Sequence, residues 1–212
     1  DPTPRDKSKD LVKDNKGNYK NPLFLENSKA QQFKWLSTFS DANNEEVIGG
    51  LNAFVDAYGN WITNKKTQVK NEEKNIANQE LDKCYRDYER MKENINTLLS
   101  NEINIESFRL MNSAMFMQIW HSVNTKKNKV LPLMEDISFS NFSADFYKKV
   151  SDKLFSETES TSWRAFQLAF ILLNLDGIFK NEDDINWKKR NDYVDLVWFP
   201  TGGGKTEAYL GL

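Results

Sequence analysis

Apolar residues recur at alternating spacings of four and three over two long stretches of this chain. Val47, Leu51, Phe54, Tyr58 and Trp61 form the first stripe, and Ala77, Leu81, Cys84, Tyr88, Met91, Ile95 and Leu98 form the second. Such spacing gathers each set on one face of a helix. Asp41, Asn43 and Asn44 offer N-cap side chains to the first helix, and Glu45 and Glu46 suit its first turn. Between the stripes, residues 63–75 are almost wholly polar, and carrying the first stripe onward lands on Lys65, Gln68 and Glu72. The pattern predicts two helices packed as an antiparallel, coiled-coil-like hairpin over about residues 45–100, with the polar stretch at its tip. That tip lacks Gly and Pro, so one long kinked helix is the alternative.

Further along, Asn104 is placed to cap a helix carrying Phe108, Leu110, Met111, Ala114, Met115, Met117, Ile119 and Trp120, an apolar density that fits burial on several sides. His121 is expected at its end, against the terminal carbonyls. Residues 124–141 read as a loop. Ser143 or Asp145 then opens an amphipathic helix with Phe146, Val150, Leu154 and Phe155. The first 27 residues contain Pro2, Pro4 and Pro22 and no sustained apolar period, which reads as a linker or arm; Phe33, Trp35, Leu36 and Phe39 form an apolar cluster behind it.

Composition narrows the class. Charged residues make up 28% and hydrophobic ones 39%, and the mean hydropathy is −0.71. That balance suggests elongated helices. A formal charge of −2 argues against wholesale electrostatic capture of nucleic acid and leaves room for a local basic patch. Lys65, Lys66, Lys70 and Lys74 at the hairpin tip, beside Glu72 and Glu73, read as a solvated face, with a nucleic-acid or partner contact as the rival. One cysteine, Cys84, excludes an internal disulfide, and its place on the apolar stripe reads as core. No apolar run approaches the ~18 residues of a membrane span. A cytoplasmic protein without a membrane partner is the expectation.

The sharpest chemistry lies at the end of the chain. Residues 193–199, Tyr-Val-Asp-Leu-Val-Trp-Phe, have the apolar, β-branched and aromatic character of a buried parallel strand. Pro200, Thr201, Gly202, Gly203, Gly204, Lys205 and Thr206 follow, and from Thr206 the sequence reads as a helix. Consecutive glycines let successive N–H groups converge on phosphate oxygens, and a helix N-terminus adds its positive end. In such a loop Lys205 faces the β- and γ-phosphates of ATP, and the Thr206 hydroxyl ligates Mg²⁺. Phe199 stands where the strict pattern has Gly. A P-loop site also needs a downstream acidic strand for the metal. The chain is therefore expected to be the N-terminal piece of a longer enzyme, itself inactive.

About thirty residues earlier, Arg164 and Gln167 open an otherwise apolar helix, Trp-Arg-Ala-Phe-Gln-Leu-Ala-Phe-Ile-Leu-Leu. A Gln amide offers an acceptor and a donor together, which suits bidentate adenine reading. Placed before a phosphate loop, Gln167 resembles the adenine-reading Q motif of superfamily 2 helicases; Arg164 either orients it or pairs with a carboxylate.

The string PTGGGKT looks like motif I of those helicases. The succession of a hairpin, FRLMNSAMFMQ, WRAFQLAFILLNL and VDLVWFPTGGGKTEAYLGL resembles the helicase-like component of DISARM-type bacterial antiphage systems. The resemblance implies an ATP-dependent translocase on nucleic acid, DNA in the first instance, working with other subunits of a defence complex. The expected fold is mainly α: a helical bundle with a long hairpin, followed by the truncated start of a RecA-like α/β domain. The division would be an arm at 1–40, a helical accessory domain at 41–160, and the beginning of the RecA-like domain at 161–212. Two other classes stay open. One is a non-helicase P-loop ATPase using the hairpin as a mechanical arm, and the other a non-catalytic interaction module.

Overall fold

The computed structural model describes residues 12–13, 19–20, 29–69, 74–128, 144–149, 162–179 and 204–212. They are mainly helical, as the patterning predicts. Two short strands, β1 (Val12–Lys13) and β2 (Tyr19–Lys20), pair antiparallel with Val12 opposite Lys20. A 3₁₀ turn, Lys29–Gln31, leads into α1 (Phe33–Leu36). Then come α2 (Asn44–Gln68), α3 (Lys74–Leu99), α4 (Glu102–Asn128), α5 (Ala144–Lys149), α6 (Ala165–Phe179) and α7 (Lys205–Leu210). The strand expected at 193–199 lies outside the described residues, as do Val150, Leu154 and Phe155. None of the described helices is long and apolar enough to cross a membrane.

The hairpin forms, and the kinked single helix is excluded. Lys66 of α2 meets Asp82 of α3 at 2.7 Å, while Asp56 meets Tyr88 at 3.2 Å and Lys92 at 3.0 Å. As numbers fall in one helix they rise in the other, so the helices run antiparallel. A Cβ on Gly59 would come within 2.7 Å of the Tyr88 ring, so this glycine allows the close approach. Asn43 caps α2, accepting from the Glu46 N–H at 2.9 Å while Glu46 Oε2 accepts from the Asn43 N–H at 2.8 Å. Two of the orphan donors at this helix start are thereby satisfied. At the tip Lys66 also stands 5.6 Å from the Tyr85 ring centre. Exposed contacts of this kind contribute about 0.2–1 kcal/mol, enough to tether the side chain without organising the fold.

Burial departs from the expected stripes in an instructive way. In α2 the buried residues are Val47, Ile48, Leu51, Val55 and Ile62, whereas Phe54, Tyr58 and Trp61 are only partly covered. The cause is two-sided packing: α3 covers one flank, and Trp35 with Ala30 presses on Gly50 from another. In α3, Leu81, Met91, Ile95 and Leu98 are buried as expected. Cys84, expected in the core, is half-buried beside Tyr58. Burial, and then the Cys84 thiol that bonds it, push the Tyr58 phenol well above its usual range.

Asn101 caps α4, its Oδ1 accepting from the Ile103 N–H at 2.9 Å. Asn104, the expected cap, sits inside the first turn and donates to the Thr97 carbonyl at 2.9 Å, closing the turn from α3. The helix continues past His121, its expected end, because α5 supports that stretch: His121 Nε2 lies 2.9 Å from the Tyr147 hydroxyl. Leu110 and Ala114 face outward, whereas Phe116 enters the core.

Arg109 is buried on α4 without a carboxylate partner among the described residues. Its Nε and Nη2 donate to the Ser37 carbonyl at 3.3 and 2.9 Å, and Nη1 donates to Asn44 Oδ1 at 2.8 Å. Burial lowers its pKa from the usual guanidinium value. The side chain ties the end of α1 and the start of α2 onto α4. Arg109→Met strips the donors from both acceptors, so a denaturant titration should show a loss of about 1–3 kcal/mol. A loss under about 0.5 kcal/mol, the range of an inert surface change, would mean that this tie is dispensable.

Candidate phosphate-binding site

The site is built on the start of α6 and the start of α7. Arg164 precedes α6, and its backbone N–H donates to Gln167 Oε1 at 2.8 Å, so Gln167 caps the helix from its third position. The other end of the same amide, Nε2, donates to the Gly204 carbonyl at 2.6 Å. Gln167 is 5% exposed. It joins the helix start to the glycine immediately before Lys205.

Gly204 has φ of 84°, in the left-handed region. A Cβ there would fall 2.6 Å from Gln167 Nε2 and 3.3 Å from Glu207 Oε2. Conformation and space both demand glycine. Lys205 and Thr206 form the first two positions of α7, with Lys205 half-buried and Thr206 exposed. Glu207 follows at the third position, where a carboxylate suits the positive helix end. Thr201, Gly202 and Gly203 lie outside the described residues.

Trp163 was not singled out by the sequence, yet it anchors this region. It is 1% exposed, and its indole N–H donates to Asn112 Oδ1 on α4 at 2.8 Å. Its backbone N–H donates to the Gln31 carbonyl at 2.7 Å, and Gln31 Nε2 returns a bond to the Trp163 carbonyl at 3.0 Å. Phe33 packs edge-on to the ring, centroids 4.6 Å apart. At the far end of α7, a Cβ on Gly211 would lie 2.7 Å from the Trp163 ring and 2.9 Å from Ile171. The one available signal was Gly after a helix, a common stop; nothing local marks Trp163.

The opposite side of α6 packs on the hairpin. Asn94 of α3 donates to the Leu172 and Leu173 carbonyls at 2.9 and 3.2 Å, and Arg90 reaches Asp176 at 3.3 Å. Phe54, Tyr58, Asp87 and Met91 with Phe166, Ala169 and Leu173 line a half-open, largely apolar pocket of about 270 Å³. Partial burial there raises the Asp87 carboxyl, against the opposing influence of Arg90 and Arg86.

Fold and site together define a helical-bundle protein in which a glycine-lysine-threonine turn is fastened to a neighbouring helix by a buried glutamine. No family model matches the chain. It is 34% identical over 180 residues to the DISARM protein DrmA of Bacillus paralicheniformis, a match covering 84% of this chain. The chain spans 14% of that relative's length.

Proposed function

We propose that this chain is the part of an ATP-dependent superfamily 2 helicase or translocase that carries motif I and a Q-motif-like glutamine. It acts on nucleic acid, DNA in the first instance, with other subunits of a DISARM-type antiphage defence complex. The observation that carries the reading is the bond from Gln167 to Gly204, the glycine directly before Lys205, across a separation of 37 residues. The likeness to DISARM protein DrmA supports the antiphage-defence part of the reading.

In this reading the backbone N–H groups of Thr201, Gly202, Gly203 and Gly204 cradle the phosphates of ATP, and Lys205 faces the β- and γ-phosphates. The Thr206 hydroxyl would hold Mg²⁺, which would supply charge neutralisation to the phosphates. Arg164 holds Gln167 through its backbone N–H. Each end of the Gln167 amide makes one bond within the protein, which leaves one N–H and one oxygen lone pair for adenine.

Gln167→Ala tests the adenine role. It removes a pair of hydrogen bonds worth about 1–3 kcal/mol when desolvated, so the KM for ATP should rise and the preference for ATP over GTP should erode. An unchanged KM and preference, together with a lowered melting temperature, would make Gln167 a helix cap alone.

A further inference from the structure

We propose that Trp163 is a positioning residue that sets nucleotide affinity from outside the nucleotide site, by referencing both ends of α7 to the helical bundle. The inference rests on the phosphate-loop reading of Lys205 and Thr206. α7 has six residues, so its placement depends on what holds its two ends. At the C-terminal end the Trp163 ring lies against Gly211, with no room for a Cβ between them. At the N-terminal end the connection runs through the residue next to Trp163: the Arg164 N–H bonds Gln167 Oε1, and Gln167 Nε2 bonds the Gly204 carbonyl.

Trp163 is itself held by the bundle. Asn112 accepts the indole N–H at 2.8 Å, and the Asn112 amide is steadied by donating to the Phe108 carbonyl at 2.8 Å. The reciprocal bonds with Gln31 fix the Trp163 main chain. The indole–Asn112 bond is the directional element in an otherwise apolar contact, and apolar packing alone leaves a ring freer to tilt. A tilt of the ring shifts Gly211 and with it the C-terminal end of α7, against an N-terminal end held by the Arg164 and Gln167 bonds. Misplacement of a binding or catalytic group by about 1 Å is enough to weaken its action severalfold or more.

The test uses the full-length protein carrying this chain, with steady-state ATP hydrolysis and thermal unfolding measured on W163F, N112L and the double variant. Each single change leaves one buried polar group unmatched and should lower the melting temperature; the double replaces both partners with apolar groups and should recover most of that loss. The KM for ATP should rise on the order of fivefold, the factor carried by one net hydrogen bond, in all three variants including the double. The kcat should stay within about twofold, since no group touching the phosphates is changed. A KM that returns to the parent value as stability recovers, or that never moves, overturns the positioning role. Full-length protein whose hydrolysis does not depend on Lys205 would instead sink the phosphate-loop reading, and this inference with it.

Discussion

Lys205→Ala in the full-length protein is expected to lower ATP turnover by several orders of magnitude at saturating nucleotide. In the proposed site the ammonium group would face the β- and γ-phosphates, where negative charge builds as the phosphoryl group departs, and no water can replace a fixed cation in that position. Loss of a single preorganised donor already costs about 10²–10³ in kcat; a full charge exceeds it. Lys205 occupies the first turn of α7, directly after the left-handed Gly204, so the substitution leaves the helix's glycine entry untouched. Turnover within about twofold of the parent would remove this loop from the chemistry.

Trp163→Ala should produce one of the largest losses of stability of any single change among the described residues. The indole is 1% exposed and contacts the 3₁₀–α1 segment, α4 and the end of α7 at once. Truncating a buried Trp costs about 3–5 kcal/mol through lost burial and the cavity left behind. Asn112 Oδ1 also loses its donor, adding to the penalty. Since whole domains have only about 5–15 kcal/mol of stability, urea titration should find the variant marginal or unfolded. Leu110→Ala, at a position 59% exposed, serves as the control and should stay within about 0.5 kcal/mol of the parent. A Trp163→Ala variant as stable as that control would deny the ring its central place.

Much of the fold could be read locally. The hairpin follows from periodicity, and the α2 start from Asn43 and Glu46, whose reciprocal bonds need only residues three apart. What escaped reading depends on contacts distant in sequence. The stripe of α2 widens because Trp35 and Ala30 cover a second flank, which no period within α2 encodes. Asn101 and Asn104 are equally good caps by type, and the choice falls to Asn101 because Thr97 draws Asn104 away. The extension of α4 past His121 depends on Tyr147, 26 residues on.

The site shows the same division. Gln167 and the Gly-Lys-Thr turn stand out by residue type, whereas the bond between Gln167 and Gly204 spans two helices and emerges only from their packing. Trp163 and Gly211 lie 48 positions apart, and neither alone betrays the other. Gly202 and Gly203 read as a loop by composition, and they lie outside the described residues.

Steady-state ATP hydrolysis by the full-length protein, with and without DNA, decides most directly whether this loop drives a nucleic-acid enzyme. The expected result is Mg²⁺-dependent turnover that DNA stimulates and that Lys205→Ala abolishes. Failure to bind Mg-ATP, or hydrolysis at a rate indifferent to both DNA and RNA, would contradict it.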